Sequence, residues 1–398
     1  MKKKVIIVSH NLRIGGVERS LIGLLDSFDY NKYDVDLFLY LHDGELYDLI
    51  HPNVNVIPEN KLYAGWLLPI KNTIQNGYWK MLLAKVIATV KSKKYIKKHK
   101  LSASNLVYPN YLHKYLVRYL PIISEKEYDL CISFLTPHYI AASKVKSKRK
   151  IAWIHTDYSY FEFDETSEIE MWNQYDYIAA ISDQSKISFL SKFSVLEGKV
   201  ITIENILSVS FIKQQANEPI KDIFDPNFIN LCSIGRFCDQ KNFDNIPYIC
   251  KYILDSGCKI RWYLIGYGGD ENLIRSKIEE AQMQENVIIL GKKNNPYPYI
   301  KACDIYVQPS RYEGKAVTVR EAQILNKPVI ITNYTTSSSQ LEDGVDGIIV
   351  PMDNESCAKG ISMLIEDRDM QNRLIENCRQ SDYSKNQEVE RIYKIISQ

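Results

Sequence analysis

Two glutamates with seven residues between them stand in the run Arg311-Tyr-Glu-Gly-Lys-Ala-Val-Thr-Val-Arg-Glu-Ala322. Upstream, Asp304-Ile-Tyr-Val-Gln-Pro-Ser310 reads as a buried strand stopped by proline, and downstream Ala316 to Leu325 has helical spacing. The run therefore predicts a strand, a tight loop and a helix N-terminus. A helix start leaves backbone N–H groups unpaired and carries partial positive charge, so Gly314, Lys315, Ala316 and Val317 predict a seat for a phosphate. Glu313 would stand beside that seat, and Glu321, about one turn into the helix, would point toward the same crevice.

Gly235-Arg-Phe-Cys-Asp-Gln-Lys-Asn242 follows a second expected strand, Ile229–Ile234, and brings Arg236 and Lys241 to its C-terminal end, where two cations can neutralise a diphosphate. Near the start, Ser9-His-Asn-Leu-Arg-Ile-Gly-Gly-Val-Glu-Arg-Ser20 joins a strand to a helix. There Gly15 and Gly16 either serve turn geometry or let backbone approach an anion or acceptor. Gly266-Tyr-Gly-Gly-Asp270 is a glycine turn without the full G-x-G-x-x-G of a dinucleotide site. His155, in Trp153-Ile-His-Thr-Asp157, ends another strand and is either structural or a hydrogen-bonding group. An anion seat with carboxylates on both flanks suits a nucleotide diphosphate sugar.

In this order the motifs resemble those of the retaining glycosyltransferases of family 4, which carry an E-x7-E signature on the GT-B fold, with bacterial polysaccharide biosynthesis as the closest type. The resemblance implies that Arg236 and Lys241 hold the donor diphosphate, that Gly15 and Gly16 close over it, that Gly266 belongs to a donor-side loop and that Lys292 lies near the base. It also implies that Glu313 orients the transferred sugar, Glu321 accepts from the ribose and His155 stands close to the reacting sugar. Two departures are visible. Ala316 follows Lys315 where many relatives have glycine or proline, which keeps the N–H and alters the sugar pocket, and Ile206 replaces a glycine after Glu204-Asn205. The implied activity is transfer from a UDP-hexose or UDP-N-acetylhexosamine, or a GDP-sugar, to a saccharide or lipid-linked acceptor with retention of configuration. A silent nucleotide- or glycan-binding protein and a GT-B nucleotide-sugar epimerase are the alternatives.

No cofactor and no essential metal are expected. Asp34-Val-Asp36 matches a metal-binding D-x-D but begins a strand, the wrong end for a ligand site. The seven histidines all precede residue 156 and none forms a closely spaced ligand motif.

With 398 residues, 45% of them hydrophobic and 25% charged, the chain suits two domains of similar size. A net charge of +2 points away from nucleic acid. Eight scattered cysteines without C-x-x-C argue for reduced thiols and a cytoplasmic protein. Met1–Ser9 is basic and then apolar, too short for a signal peptide and better read as a first strand, and no segment is long enough to span a bilayer.

Two runs of alternating strands and helices predict two Rossmann-like parallel-sheet domains facing across a cleft: 1–207 for the acceptor and 229–384 for the donor. Residues 208–228, with Pro219 and Pro226, read as a linker, and 385–398 as a helix that the resemblance implies crosses back to the first domain. Residues 60–124 fit the alternation poorly and read as an aromatic, basic insertion. Within it Lys80, Lys85, Lys91, Lys93, Lys94, Lys97, Lys98 and Lys100 occur without an acid, and Trp79, Leu82, Leu83, Val86 and Val90 share a helical face. Such a helix fits an anionic membrane surface, on the inner face of the plasma membrane, or a domain helix with a buried apolar face and solvated lysines.

Overall fold

The computed structural model describes residues 2–65, 69–102, 105–220 and 224–398. Residues 66–68 and 103–104 of the expected insertion and 221–223 of the expected linker lie outside the described residues. The chain divides into two units, residues 1–206 with 386–398, and residues 207–385.

The first unit contains β1 (Lys3–Ser9), β2 (Tyr33–Leu39), β3 (Asn55–Val56), β4 (Glu127–Ser133), β5 (Lys146–Ile154), β6 (Tyr177–Ala180) and β7 (Val200–Thr202). They form one sheet in the order β3-β2-β1-β4-β5-β6-β7, with every pair parallel. Val5, Ile6, Ile7 and Val8 are all buried, the continuous apolar run of a strand covered on both faces. Asp36 sits within β2, buried, and accepts from Asn55 Nδ2 (2.8 Å), Lys126 Nζ (2.8 Å) and Tyr128 Oη (2.7 Å). Its polar demand is thus met by structure.

Among the described residues, the 60–124 stretch is a helical crossover between β3 and β4. Tyr63, Met81, Ala84 and Leu116 pack with Ile6, Val8 and Phe38 on one face of the sheet. It escapes the strand–helix rhythm because it covers that face with consecutive helices, among them Trp79–His99 and Val107–Leu116. The final helix, Val389–Ser397, also belongs to this unit. Its Val389, Ile392, Ile395 and Ile396 enter the core with Leu21, Leu25 and Val35. Tyr393 stacks on Tyr33 at 4.3 Å and its hydroxyl accepts from Asp29 N at 2.7 Å.

The second unit contains β8 (Ile229–Ile234), β9 (Ile260–Ile265), β10 (Val287–Gly291), β11 (Ile305–Gln308), β12 (Val329–Thr332) and β13 (Ile348–Val350), parallel throughout in the order β10-β9-β8-β11-β12-β13. The strand order reverses at β8, and in such sheets ligands bind outside the C-terminal ends of the strands at the reversal. The stretch expected as a linker is largely built into this unit. Val209–Gln215 is a helix, and Leu207, Ile212 and Ala216 lie in the core beside Tyr297 and Val319. Three apolar residues at spacings of five and four make a pattern short enough to be hidden by the nearby prolines and polar residues.

The eight cysteines are free, six of them buried. Among the described residues no helix is long and apolar enough to cross a membrane.

Candidate functional site

Beyond the switch point, the loops after β8, β9 and β10 are laced by backbone hydrogen bonds. Gly235 N donates to Ile265 O (3.0 Å), Phe237 N to Tyr267 O (2.9 Å), Asp270 N to Phe237 O (3.1 Å) and Gly266 N to Gly291 O (3.0 Å). This closeness requires glycine. At Gly266, with φ of 155°, an added Cβ would stand 1.8 Å from the Gly235 carbonyl oxygen, and at Gly268 one would stand 2.1 Å from Phe237 O. Lys241 runs its stem over Gly235, where a Cβ would meet three of its carbons at 3.1 Å.

That stem delivers Lys241 Nζ to Glu313 Oε1 at 2.5 Å. The same oxygen accepts from Ser310 Oγ at 2.6 Å, and Gln240 Nε2 reaches Oε2 at 3.1 Å. Glu313 is buried and Lys241 nearly so, so the pair has lost most of its water and depends on this geometry. The loop carrying Glu313 is pinned from both flanks. Arg311 forms a two-toothed pair with Asp244 (3.0 and 2.8 Å) and Asn242 Nδ2 donates to Pro309 O at 2.9 Å, while Thr336 Oγ1 donates to Glu313 O at 2.7 Å. Arg236, by contrast, is exposed and has no acidic partner among the described residues. Its guanidinium is exposed, whereas Lys241 is already engaged.

The helix predicted after the loop spans Val317–Ile324, with Ala316 as its N-cap and no side-chain cap. The missing cap leaves the first turn to other acceptors. One is present: Ala316 N donates to Gln340 Oε1 at 2.6 Å. Gln340 is fully buried and its Nε2 has no hydrogen-bond partner. The expected phosphate seat thus has one N–H occupied by a side chain whose other end is an unspent donor. Glu321 is fully buried and accepts from Tyr297 Oη at 3.0 Å. A ribose contact would require that hydroxyl to give way. Gly314 is buried, Lys315 is partly exposed, and the exposed Lys292, just past β10, places Nζ 5.0 Å from the Tyr267 ring centroid.

Gly15, Gly16 and His155 belong to the other unit. Gly15 is the extended N-cap of the Gly16–Ser27 helix, and a Cβ on it would strike the Glu18 carboxylate at 2.1 Å. This loop is held by Asp43, which pairs with Arg13 (2.8 and 2.5 Å), and by Glu45, which accepts from Ile14 N at 3.2 Å. Asn205 accepts from Ser20 Oγ at 2.8 Å. His155 follows β5, against Phe134 (4.5 Å) and Trp153 (6.0 Å), with both ring nitrogens shielded from water. Burial lowers its pKa to about 3, so at neutral pH it is a neutral imidazole.

The structure therefore joins Lys241 directly to Glu313, sets Gly235 and Gly266 against each other, and gives Ala316 a side-chain partner. Ser310, Gln240, Thr336 and Gln340 were not singled out from sequence. The polar run Thr335–Gln340 after β12, of which Thr336, Ser337 and Gln340 are buried, is a legible signal, since polar residues beyond a parallel strand's C-terminal end lie where ligands bind.

Residues 215–381 match the family model of glycosyl transferases group 1. The match falls within the second unit and shows a likeness of that unit to the group 1 glycosyl transferases. Similar curated proteins include an uncharacterized glycosyltransferase of Methanocaldococcus jannaschii, 25% identical over 261 residues, covering 60% of this chain and 64% of that protein. Another is the Campylobacter jejuni N-acetylgalactosamine-N,N'-diacetylbacillosaminyl-diphospho-undecaprenol 4-alpha-N-acetylgalactosaminyltransferase, 26% identical over 182 residues, covering 45% and 47%. The matches thus span about half to two-thirds of these group 1 relatives. Among solved structures, Staphylococcus aureus TarM, in complex with fondaparinux, alpha-GlcNAc-glycerol and UDP, aligns over 100% of both chains with a TM-score of 0.70 at 15% identity. That likeness establishes the GT-B fold.

Proposed function

We propose that the protein transfers a glycosyl group from a nucleotide diphosphate sugar, a UDP-hexose or UDP-N-acetylhexosamine before a GDP-sugar, to a saccharide or lipid-linked acceptor. The observation that carries this reading is the Lys241–Glu313 pair beyond the reversal of the second sheet, beside an uncapped helix N-terminus. Cationic charge, helix dipole and a fixed carboxylate then meet beyond the C-terminal ends of the central strands β8 and β11. UDP is favoured because TarM holds it on the same fold, and a lipid-linked acceptor because the Campylobacter relative's name contains diphospho-undecaprenol.

In this reading Arg236 and the N–H groups at Ala316 and Val317 stabilise the diphosphate as the bond from the anomeric carbon to its oxygen breaks. Gln340 turns from Ala316 as the phosphate arrives, and its Nε2 becomes available to the same anion. Glu313, held by Lys241 and Ser310, accepts from sugar hydroxyls, and Glu321 exchanges Tyr297 for the ribose. The acceptor oxygen attacks the anomeric carbon from the face the diphosphate leaves, and the acceptor proton passes to the departing phosphate, so configuration is retained. Within the first unit, His155, neutral, is the candidate for a hydrogen bond to a sugar hydroxyl, and Gly15 and Gly16 for a backbone contact with an anion. No metal is required, because the protein's own cations and backbone dipoles carry the diphosphate charge. Two reaction panels of UDP- and GDP-sugars, with and without EDTA, test this. Transfer or slow donor hydrolysis that survives EDTA supports it, whereas nucleotide binding without either reaction would make the protein a silent binder.

A further inference from the structure

The Trp79–His99 helix buries the wrong face for an ordinary surface helix. Toward the unit it turns Met81, Ala84, Lys85, Ala88 and Ser92. The buried Lys85 donates to Thr73 Oγ1 at 3.1 Å and so ties this helix to the preceding one, Ile70–Gln75. Outward it turns Trp79 (64% exposed), Leu83 (51%), Val86 (47%) and Val90 (61%), which recur at three- and four-residue spacing on one stripe. Ile70 (50%) and Ile74 (42%) add to the exposed apolar surface from the neighbouring helix. The stripe continues along the same side as Lys93, Lys94, Lys97 and Lys98, all exposed. Isolated exposed apolar residues are ordinary, but six large ones on two adjoining helices are not.

Charge selects the occupant. From residue 60 to residue 124 the sequence has twelve basic residues and no acidic one, although the whole chain carries a net charge of only +2. A second copy meeting this face with its own would oppose one acid-free region to another. A flat anionic surface with an apolar interior satisfies both halves of the stripe. We propose that this face docks the protein on an anionic lipid bilayer. The helix lies flat, about 30 Å long. Trp79, Leu83, Val86 and Val90 enter the boundary between headgroups and acyl chains, and Lys93, Lys94, Lys97 and Lys98 rest on lipid phosphates. The inference concerns the first unit alone and does not depend on the transfer reaction.

Flotation of the full chain with vesicles of phosphatidylglycerol and phosphatidylethanolamine, against vesicles of phosphatidylcholine, tests it. Binding is expected on the anionic vesicles only, with at least a ~10-fold loss between 0.05 and 0.5 M salt. A variant with Lys93, Lys94, Lys97 and Lys98 changed to Gln is expected to lose at least ~100-fold in partitioning, and Leu83→Ser with Val86→Ser to lose at least ~10-fold. All these positions are exposed, and an unchanged melting temperature confirms intact folding of the variants. Equal binding to neutral vesicles, binding that persists in the lysine variant, or no binding at all would overturn the proposal. So would a wild-type dimer that Leu83→Ser and Val86→Ser turn into a monomer, since a second copy would then cover the face.

Discussion

Lys241 Nζ lies 2.5 Å from Glu313 Oε1, and the oxygen they share is also held by Ser310 Oγ at 2.6 Å. The two residues come from loops beyond adjacent strands, β8 and β11. The consequence is a carboxylate whose direction is set before any ligand arrives.

Breaking the pair from either side should have different signatures. Lys241→Met leaves a buried carboxylate uncompensated and is expected to cost about 3–5 kcal/mol of stability, read as a lower denaturant midpoint for the second unit. Glu313→Gln keeps the shape and is expected to lower transfer by on the order of 10²-fold or more, while UDP affinity changes by less than ~10-fold. Transfer unchanged in Glu313→Gln would remove this residue from the site.

Gln340 occupies the Ala316 N–H, at 2.6 Å. Gln340→Leu leaves that N–H unsatisfied, an expected loss of about 1–3 kcal/mol in the free protein. If the N–H is a phosphate donor, UDP restores the loss, so the UDP-induced rise in melting temperature should be larger in Gln340→Leu than in wild type. An equal rise would show that the phosphate does not use this group.

Acid should unfold the first unit before the second. Burial lowers His10 to about 4 and His113 and His155 to about 3, against about 6.5 in an unfolded chain. Below pH 6.5 the unfolded state binds protons that the folded state refuses. The stability these residues supply is therefore complete above pH 6.5 and is lost as pH falls toward 4 and 3, by about 1.4 kcal/mol per pH unit per group. Glu168 acts in the opposite sense. Burial raises it to about 7, so its contribution is present below its unfolded value and lost as pH rises through 7, but it is one group against four, since burial lowers His138 as well. The second unit has no histidine. Hydrogen exchange is expected to show peptides of residues 1–206 losing protection between pH 6.5 and 4.5 while those of 207–385 retain it. Simultaneous loss would remove the histidines as the cause.

The last helix should stabilise the unit at the opposite end of the sequence. Ile392→Ala empties a fully buried position in the first core and is expected to cost about 2–5 kcal/mol. The loss should appear in unfolding of the first unit, with exchange in residues 207–385 unchanged.

Much of the architecture was legible because parallel strands buried on both faces are continuous apolar runs, such as Val5–Val8 and Val329–Ile331. The positions of Arg236, Lys241 and Glu313 followed from one rule, that loops after parallel strands hold ligands. The 208–228 stretch did not follow, because Leu207, Ile212 and Ala216 gain meaning only when Tyr297 and Val319 stand opposite them. Nor could periodicity tell which side of the Trp79–His99 helix faces inward. Its small-residue face, Ala84 and Ala88, lets the helix approach the unit closely, and the large apolar residues are left outside.

By itself the sequence determined the parallel sheets, the loops that carry the charged residues and the helix start beside Glu313, because each rests on local patterning over a few residues. Only the tertiary structure decided that Lys241 meets Glu313, that Gln340 takes the Ala316 N–H and that Glu321 meets Tyr297. These partners are between 24 and 72 residues apart, and at that separation a contact depends on strand order and register, which local pattern does not encode.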